Sequence, residues 1–160
     1  VLRAVKQNTS SFQYADESLK KNKKFIIKLL KLSIKNSYFG TLLEYVSSEL
    51  KKDRDVVTLA VKQWGMSLQF VDESFKKDKE IVLLAVKQYC NSLQFADKIL
   101  KKDKEVVLEA IKNNCYSIQY ADDSLKKDKE VAMAAIKKNS YCIKFVDESF
   151  MRDTGSKHEI

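Results

Sequence analysis

Four lysines in the first third of the chain have the spacing of one helix face. Lys24, Lys28, Lys31 and Lys35 follow one another at steps of four, three and four residues, which places them along one side of an α-helix. We call them the lysine stripe. A line of ammonium groups can bind a line of anions, such as nucleic-acid phosphates, lipid head groups or an acidic protein patch. The alternative interpretation is an ordinary solvated helix face.

The composition around the stripe supports a local basic surface but not base recognition. Residues 1–52 contain eleven Lys and Arg against four Asp and Glu, a balance of +7, whereas residues 53–160 contain nineteen against eighteen, or +1. No aromatic residue lies on the stripe to stack on bases, which disfavours single-strand binding. Lysine also lacks the bidentate geometry with which arginine recognises bases and phosphates.

A second candidate surface lies where a first helix of the repeat turns into a second. Its predicted binding residues are Lys62, Gln63, Lys87 and Gln88. Exposed, variable residues at the edge of an array suit partner recognition. The neighbouring Trp64 and Tyr89 continue an apolar spacing that favours the core, although Asn114 and Asn139 hold the equivalent positions in later repeats.

The residues needed for catalysis or metal binding are scarce. His158 is the single histidine and lies near the end of the chain, so a Ser-His-Asp, Cys-His or histidine-rich metal site is not expected. Glycine-rich phosphate loops are absent. We therefore predict no enzyme activity, no cofactor and no metal.

The three cysteines have no metal-binding or CxxC spacing. Cys90 and Cys115 hold the same position in successive repeats, about 8 to 10 Å apart for one helix layer, which is beyond disulfide reach. Cys142 falls in a different position, the one held by Ser92. We predict that all three are reduced packing residues of an intracellular protein.

A 25-residue repeat positions these side chains. Asp53, Asp78, Asp103, Asp128 and Asp153 mark its steps. A fixed short period indicates units that cannot bury their apolar faces alone and must stack on their neighbours. The sequence therefore predicts an all-α protein, an α-solenoid of stacked helical hairpins.

The unit from Asp78 to Lys102 shows the predicted hairpin. Asp78 caps a first helix, Glu80 and Lys87 suit its dipole, and a buried face recurs at helical spacing. This face consists of Ile81, Val82, Ala85 and Val86, with Tyr89 continuing it. Ser92 is predicted to cap a shorter second helix. The apolar side of that helix consists of Leu93, Phe95, Ala96, Ile99 and Leu100.

The unit from Asn22 to Lys52 departs from the repeat. Asn22 replaces the capping aspartate, and 31 residues instead of 25 separate it from Asp53. We expect a longer first helix here, followed by a larger loop that ends near Gly40. Because this irregular unit also contains the lysine stripe, it is our first candidate for function.

The amino-acid sequence of the repeat is similar to that of a known family. The segments Asp103–Ala110 (DKEVVLEA) and Ser92–Asp97 (SLQFAD) resemble the tandem repeats called domain of unknown function 4116. The resemblance covers residues 1 to about 152. It implies a helical array in bacterial or protist proteins, often within a larger polypeptide, and it carries over no catalytic residue.

These observations give a definite set of expectations. Residues 1–152 form one helical-repeat domain of about six hairpins, with the first truncated and an irregular unit at 22–52, and residues 153–160 form a tail. The predicted function is a non-enzymatic scaffold for an unidentified protein partner. The alternative is electrostatic binding of nucleic acid or anionic membrane through the lysine stripe.

The apolar runs are too short to span a bilayer, so we expect an intracellular, cytoplasmic protein. An upstream targeting sequence, the oligomeric state and the solenoid handedness stay open.

Overall fold

A computed structural model describes residues 1–32, 37–148 and 150, apart from the side chains of residues 6 and 37–40. These residues are all-helical and include no strand. The five long helices have ten residues each: α3 (Lys23–Leu32), α5 (Arg54–Gln63), α7 (Lys79–Gln88), α9 (Lys104–Asn113) and α11 (Lys129–Lys138). The shorter helices are α1 (Leu2–Gln7), α2 (Glu17–Lys20), α4 (Ser48–Lys51), α6 (Glu73–Lys76), α8 (Lys98–Lys101) and α10 (Asp123–Lys126). The 3-10 segments are Thr9–Tyr14, Ser37–Glu44, Gly65–Phe70, Cys90–Phe95, Cys115–Tyr120 and Ser140–Phe145.

The long helices of the regular repeats begin where the sequence predicts. The Asp78 carboxylate accepts hydrogen bonds from the backbone N–H groups of Glu80 (3.0 Å) and Ile81 (3.2 Å), so it caps α7. Asp53, Asp103 and Asp128 cap α5, α9 and α11 in the same way. Each of these helices ends at a residue with extended backbone, such as Tyr89 after α7.

The predicted buried face of the long helix is confirmed. Ile81, Val82, Ala85 and Val86 are at most 1% exposed, and the equivalent residues of the other units join them in one continuous core. Tyr89 does not continue this face, because its extended backbone turns the chain out of the helix, and it is 44% exposed.

The second half of each repeat is not the single helix that the sequence predicts. After α7 it consists of the 3-10 segment Cys90–Phe95 and the one-turn helix α8. The cap of α8 is Asp97, whose carboxylate accepts a hydrogen bond from the Ile99 N–H at 2.9 Å. Ser92 is not a cap: it is fully buried, and its hydroxyl has no hydrogen-bond partner among the described residues.

The majority of the apolar residues in this second half are buried, as predicted. Leu93, Ala96 and Leu100 are buried in the core, and Phe95 is partly buried against it. Ile99 is 68% exposed, because a helix of one turn presents only one side to the core. The sequence prediction for Ile99 was therefore wrong.

Neighbouring repeats pack in chain order. The long helices contact one another as α3 with α5, α5 with α7, α7 with α9 and α9 with α11. A backbone hydrogen bond links successive short helices as well, from the Asp97 N–H to the Lys76 carbonyl oxygen at 2.9 Å. Equivalent bonds join Ser47 to Lys20, Asp72 to Lys51, Asp122 to Lys101 and Asp147 to Lys126. The same contacts thus recur at each step.

The irregular unit differs from its prediction. Its long helix α3 has ten residues, like the others, and is not extended. Asn22 caps it, because its side-chain oxygen accepts a hydrogen bond from the Phe25 N–H at 3.0 Å. The 3-10 segment Ser37–Glu44 is two residues longer than the six-residue segments elsewhere. The predicted loop falls partly on residues 33–36, and the predicted tail on 153–160, which lie outside the described residues.

The structure corrects the prediction for two cysteines. Cys115 and Cys142 form a disulfide with their Cα atoms 6.4 Å apart, and Cys90 is free. The prediction compared equivalent positions, 25 residues apart. In the structure, the first residue of one 3-10 segment faces the third residue of the next, so facing residues are 27 apart. Gly65 faces Ser92 in this way: a Cβ atom at Gly65 would lie 2.9 Å from Ser92 Oγ.

Within the described part of the chain, no helix has both the length and the apolar character that a bilayer span requires.

Candidate binding surface on the long helices

One edge of the stacked long helices carries a ladder of ion pairs. The Nζ of Lys79, the first residue of α7, lies 2.7 Å from Asp103 Oδ2 and 2.8 Å from Glu105 Oε2. These acids are the cap and the second residue of α9. The other rungs join Lys23 to Asp53 and Asp55, Arg54 to Asp78 and Glu80, and Lys104 to Asp128 and Glu130. We call these contacts the charge ladder.

The charge ladder favours the ionised form of its capping aspartates and of its lysine and arginine side chains. Burial acts to raise the pKa of Asp103, but hydrogen bonds from Lys79 and from the Val106 N–H outweigh it and hold that pKa below its ordinary value. Hydrogen bonds to Asp103 and Glu105 raise the pKa of Lys79. The pKa is likewise lowered at Asp53, Asp78 and Asp128 and raised at Lys23, Arg54 and Lys104. These charges are therefore used inside the fold.

At the opposite edge, the last residue of a long helix binds the end of its neighbour. Gln88 Nε2 donates to the Gln63 carbonyl oxygen at 3.2 Å, and Asn113 Nδ2 donates to the Val86 carbonyl oxygen at 3.3 Å. The Lys138 ammonium donates to the Lys112 carbonyl oxygen. These bonds satisfy carbonyl groups that a helix end leaves unpaired. Because first residues meet first turns and last residues meet last turns, neighbouring long helices run in the same direction.

The ninth residue of every long helix is a lysine. These residues, which we call the lysine row, are Lys31, Lys62, Lys87, Lys112 and Lys137, and all are exposed. Lys112 lies 3.5 Å from Glu109, and the other four have no ion pair within the described residues. Since packed helices have axes about 8 to 10 Å apart, the row is a line of charges with about that spacing.

The three described residues of the lysine stripe lie on the same side of the molecule as this row. Lys24, Lys28 and Lys31 are exposed, without an ion pair in the described part of the chain, and Lys31 belongs to both sets. Lys35 lies outside the described residues. The other long helices have an acid at the position of Lys24, namely Asp55, Glu80, Glu105 and Glu130. A continuous basic face is therefore particular to α3 among the five.

The predicted turn residues separate into two kinds. Lys62 and Lys87 are exposed members of the lysine row. Gln63 and Gln88 are joined to each other across the edge, so at least the Gln88 amide serves the packing of neighbouring helices. The sequence prediction treated all four as one recognition surface, because it had no means of placing amides against the carbonyl ends of the next helix.

A groove opens between α9 and α11 on this side. Its volume is about 790 Å³, and Leu108, Ile111 and Ala134 supply its apolar lining. The charged lining residues are Lys104, Glu105, Glu109, Lys112, Glu130 and Lys138. A second depression, of about 530 Å³, lies against α11 and shares Ala134. Ala134 opens the space, since the sixth residue of a long helix is leucine in α5 and α7.

Three features of this surface were not predicted from the sequence, namely the charge ladder, the lysine row and the groove. A signal for the row was present, since Lys62, Lys87, Lys112 and Lys137 recur at 25 residues. The groove had no such signal, because it depends on side chains from two helices. Regarding metals, the described residues include no group of three or more His, Cys, Asp or Glu placed to hold an ion, and His158 lies outside them.

Comparison with known proteins identifies the repeat. The sequence model of the family "Domain of unknown function (DUF4116)" matches four times in tandem, at residues 1–38, 32–73, 53–101 and 103–151. No curated protein and no solved structure matches the chain. The four matches together cover nearly all of the 160 residues. The chain therefore belongs to the DUF4116 family, as a tandem array of its repeated domain.

Proposed function

We propose that this chain is a non-enzymatic α-solenoid of stacked hairpins with a 25-residue repeat, and that it binds a protein partner on the exposed side of its long helices. The shared direction of the long helices and the recurrence of the same contacts at each step support the solenoid. In such an array each repeat offers one strip of a continuous surface.

The groove between α9 and α11 carries the protein-binding proposal. Its apolar lining of Leu108, Ile111 and Ala134 is surrounded by charged side chains of both signs. An apolar centre with a polar rim is the usual composition of a protein interface. The volume of about 790 Å³ is also within the range of sites that hold large side chains or ligands.

A second candidate function is electrostatic binding of nucleic acid or anionic membrane through Lys24, Lys28, Lys31 and Lys35. The observation in its favour is the all-basic exposed face of α3, which has Lys24 where the other long helices have an acid as their second residue. Binding to phosphates would weaken steeply as the salt concentration rises, because each contact releases a condensed counterion.

Two variants separate these functions. Ala134→Leu fills the groove with a side chain that Leu59 and Leu84 already place at the same helix position, so the fold should accept it. In the second variant, the four stripe lysines are changed to Glu. Both are compared with the wild type in pull-downs from a cell lysate at low and physiological salt, with nuclease-treated lysate in parallel.

The expected result is a protein captured by the wild type, retained by the stripe variant and lost with Ala134→Leu. Retention of every partner by Ala134→Leu would contradict the groove proposal. Loss of binding in the stripe variant alone, together with sensitivity to nuclease or to salt, would favour the electrostatic alternative. Retention of every partner by the stripe variant would remove the stripe from consideration.

A further inference from the structure

We propose that the partner presents an acidic segment in an extended, polyproline II conformation, which crosses the long helices along the lysine row. This inference rests on the proposed protein-binding function and specifies the chemistry of the partner.

The lysine row is not needed by its own fold. The lysines at the first position of α3, α7 and α9 are each engaged by two acids of the next helix, as Lys79 shows. At the ninth position, Lys31, Lys62, Lys87 and Lys137 have no ion pair within residues 1–32, 37–148 and 150. The carbonyl groups beside them are occupied by amides instead, as Gln88 and Asn113 show. The row therefore presents charge that an external anion can bind.

The spacing of the lysine row matches the repeat of a polyproline II segment. Neighbouring lysines of the row belong to parallel packed helices, whose axes lie about 8 to 10 Å apart. In polyproline II, every third residue falls on the same side, and three residues advance the chain by about 9 Å. Alternate residues of a β-strand recur at about 6.6 Å, and one turn of an α-helix recurs at about 5.4 Å. An acid at every third position of a polyproline II segment thus fits the row best.

The groove lies beside the lysine row. Lys112 belongs to the row and lines the groove, and Lys137 lines the second depression beside Ala134. A segment that follows the row therefore passes the apolar lining formed by Leu108 and Ala134. Apolar residues between the acids, proline included, would contact this lining. Nucleic acid offers no such apolar residues, and its phosphates follow at about 3.4 Å per strand along a duplex.

The test uses three fluorescein-labelled peptides with the whole chain at physiological salt. The first is five repeats of Glu-Pro-Pro, the second has the same composition with its five glutamates contiguous, and the third replaces each glutamate of the first by glutamine. Fluorescence anisotropy measures each dissociation constant. We expect the first peptide to bind about tenfold or more tightly than the second, and the third to show no binding.

Two variants with equal loss of charge locate the site. Changing Lys62, Lys87 and Lys112 to Ala should weaken binding of the first peptide at least about tenfold. The matched control changes Lys21, Lys77 and Lys98 to Ala, which are exposed and lie on or beside the short helices. The control should bind like the wild type. Circular dichroism checks that both variants are folded.

The inference is overturned if spaced and contiguous glutamates bind equally, or if the control variant loses as much binding as the row variant. It is also overturned if poly-uridine or phosphatidylserine vesicles bind more tightly than the spaced peptide, with loss in the row variant. These outcomes leave the groove result intact. A different outcome is that Ala134→Leu retains every captured partner while the spaced peptide still binds more tightly than the contiguous one. In that case the proposed binding of a protein in the groove is wrong, and the inference about the lysine row is not.

Discussion

The two edges of the stacked long helices use the same residue type for different purposes. At the first-residue edge, Lys79 lies within 2.8 Å of two carboxylates of the next helix. At the last-residue edge, Lys87 is exposed, and the amide of Gln88 makes the contact between helices. Lysine content alone therefore does not mark a binding surface in a repeat protein. A binding surface is marked by lysines for which the next repeat supplies no carboxylate.

Acid should break the ion pairs of the first edge, and this is the largest effect we expect. The pKa values of Asp53, Asp78, Asp103 and Asp128 are lowered in the fold, whereas an unfolded Asp titrates near about 3.9. Their contribution to stability is therefore complete above the unfolded pKa and is lost as the pH falls through the folded values.

The measurement is thermal unfolding by circular dichroism between pH 7 and pH 3. We expect Tm to be nearly constant down to about pH 5 and then to fall by more than about 3 °C, the shift that roughly 1 kcal/mol produces in a chain of this size. The matched control changes Asp78, Asp103 and Asp128 to Asn, which keeps a capping oxygen but cannot titrate. An equal acid shift in this control would contradict the role of the caps.

A single cap should have the next largest effect. Asp103→Ala removes the cap of α9 and the acceptor of Lys79, and we expect the free energy of unfolding in urea to fall by about 0.5 to 2 kcal/mol. Asp103→Asn should cost less, because Asn22 already caps α3 in this chain. If Asn proves as costly as Ala, the ion pair and not the cap dominates at this edge.

The helices that could be predicted from the sequence are those specified by local signals. Asp78 and the face from Ile81 to Val86 define α7 without reference to any other unit. The second half of the repeat could not be predicted in this way. Ser92 has the chemistry of a cap, yet it is buried where its own 3-10 segment packs against Gly65 of the preceding 3-10 segment. Its burial therefore depends on the neighbouring repeat.

The candidate site shows the same division. Exposure of Lys24, Lys28 and Lys31 follows from helical register alone and is confirmed. The amide bond of Gln88, the disulfide of Cys142 and the groove beside Ala134 all join residues of different repeats. Their geometry requires the offset between repeats, which neither the 25-residue period nor local propensity contains.

The smallest effect should come from the lysine row itself. Lys87→Ala removes an exposed side chain without an ion pair in the described residues, so the free energy of unfolding should change by less than about 0.5 kcal/mol. Gln88→Ala, one residue further on, should cost about 0.5 kcal/mol or slightly more, because it removes the hydrogen bond to Gln63.

Salt decides whether Lys87 has any role in the fold. A cation in the last turn of a helix can contribute about 0.3 to 1 kcal/mol through the helix dipole at low ionic strength, and salt screens this term. In urea unfolding, the free energy of unfolding of Lys87→Ala should therefore approach that of the wild type as the salt concentration rises from low salt to 1 M. A cost above about 1 kcal/mol that persists at high salt would show that the row supports the fold. The two edges would then be alike, and the contrast between them would no longer point to binding.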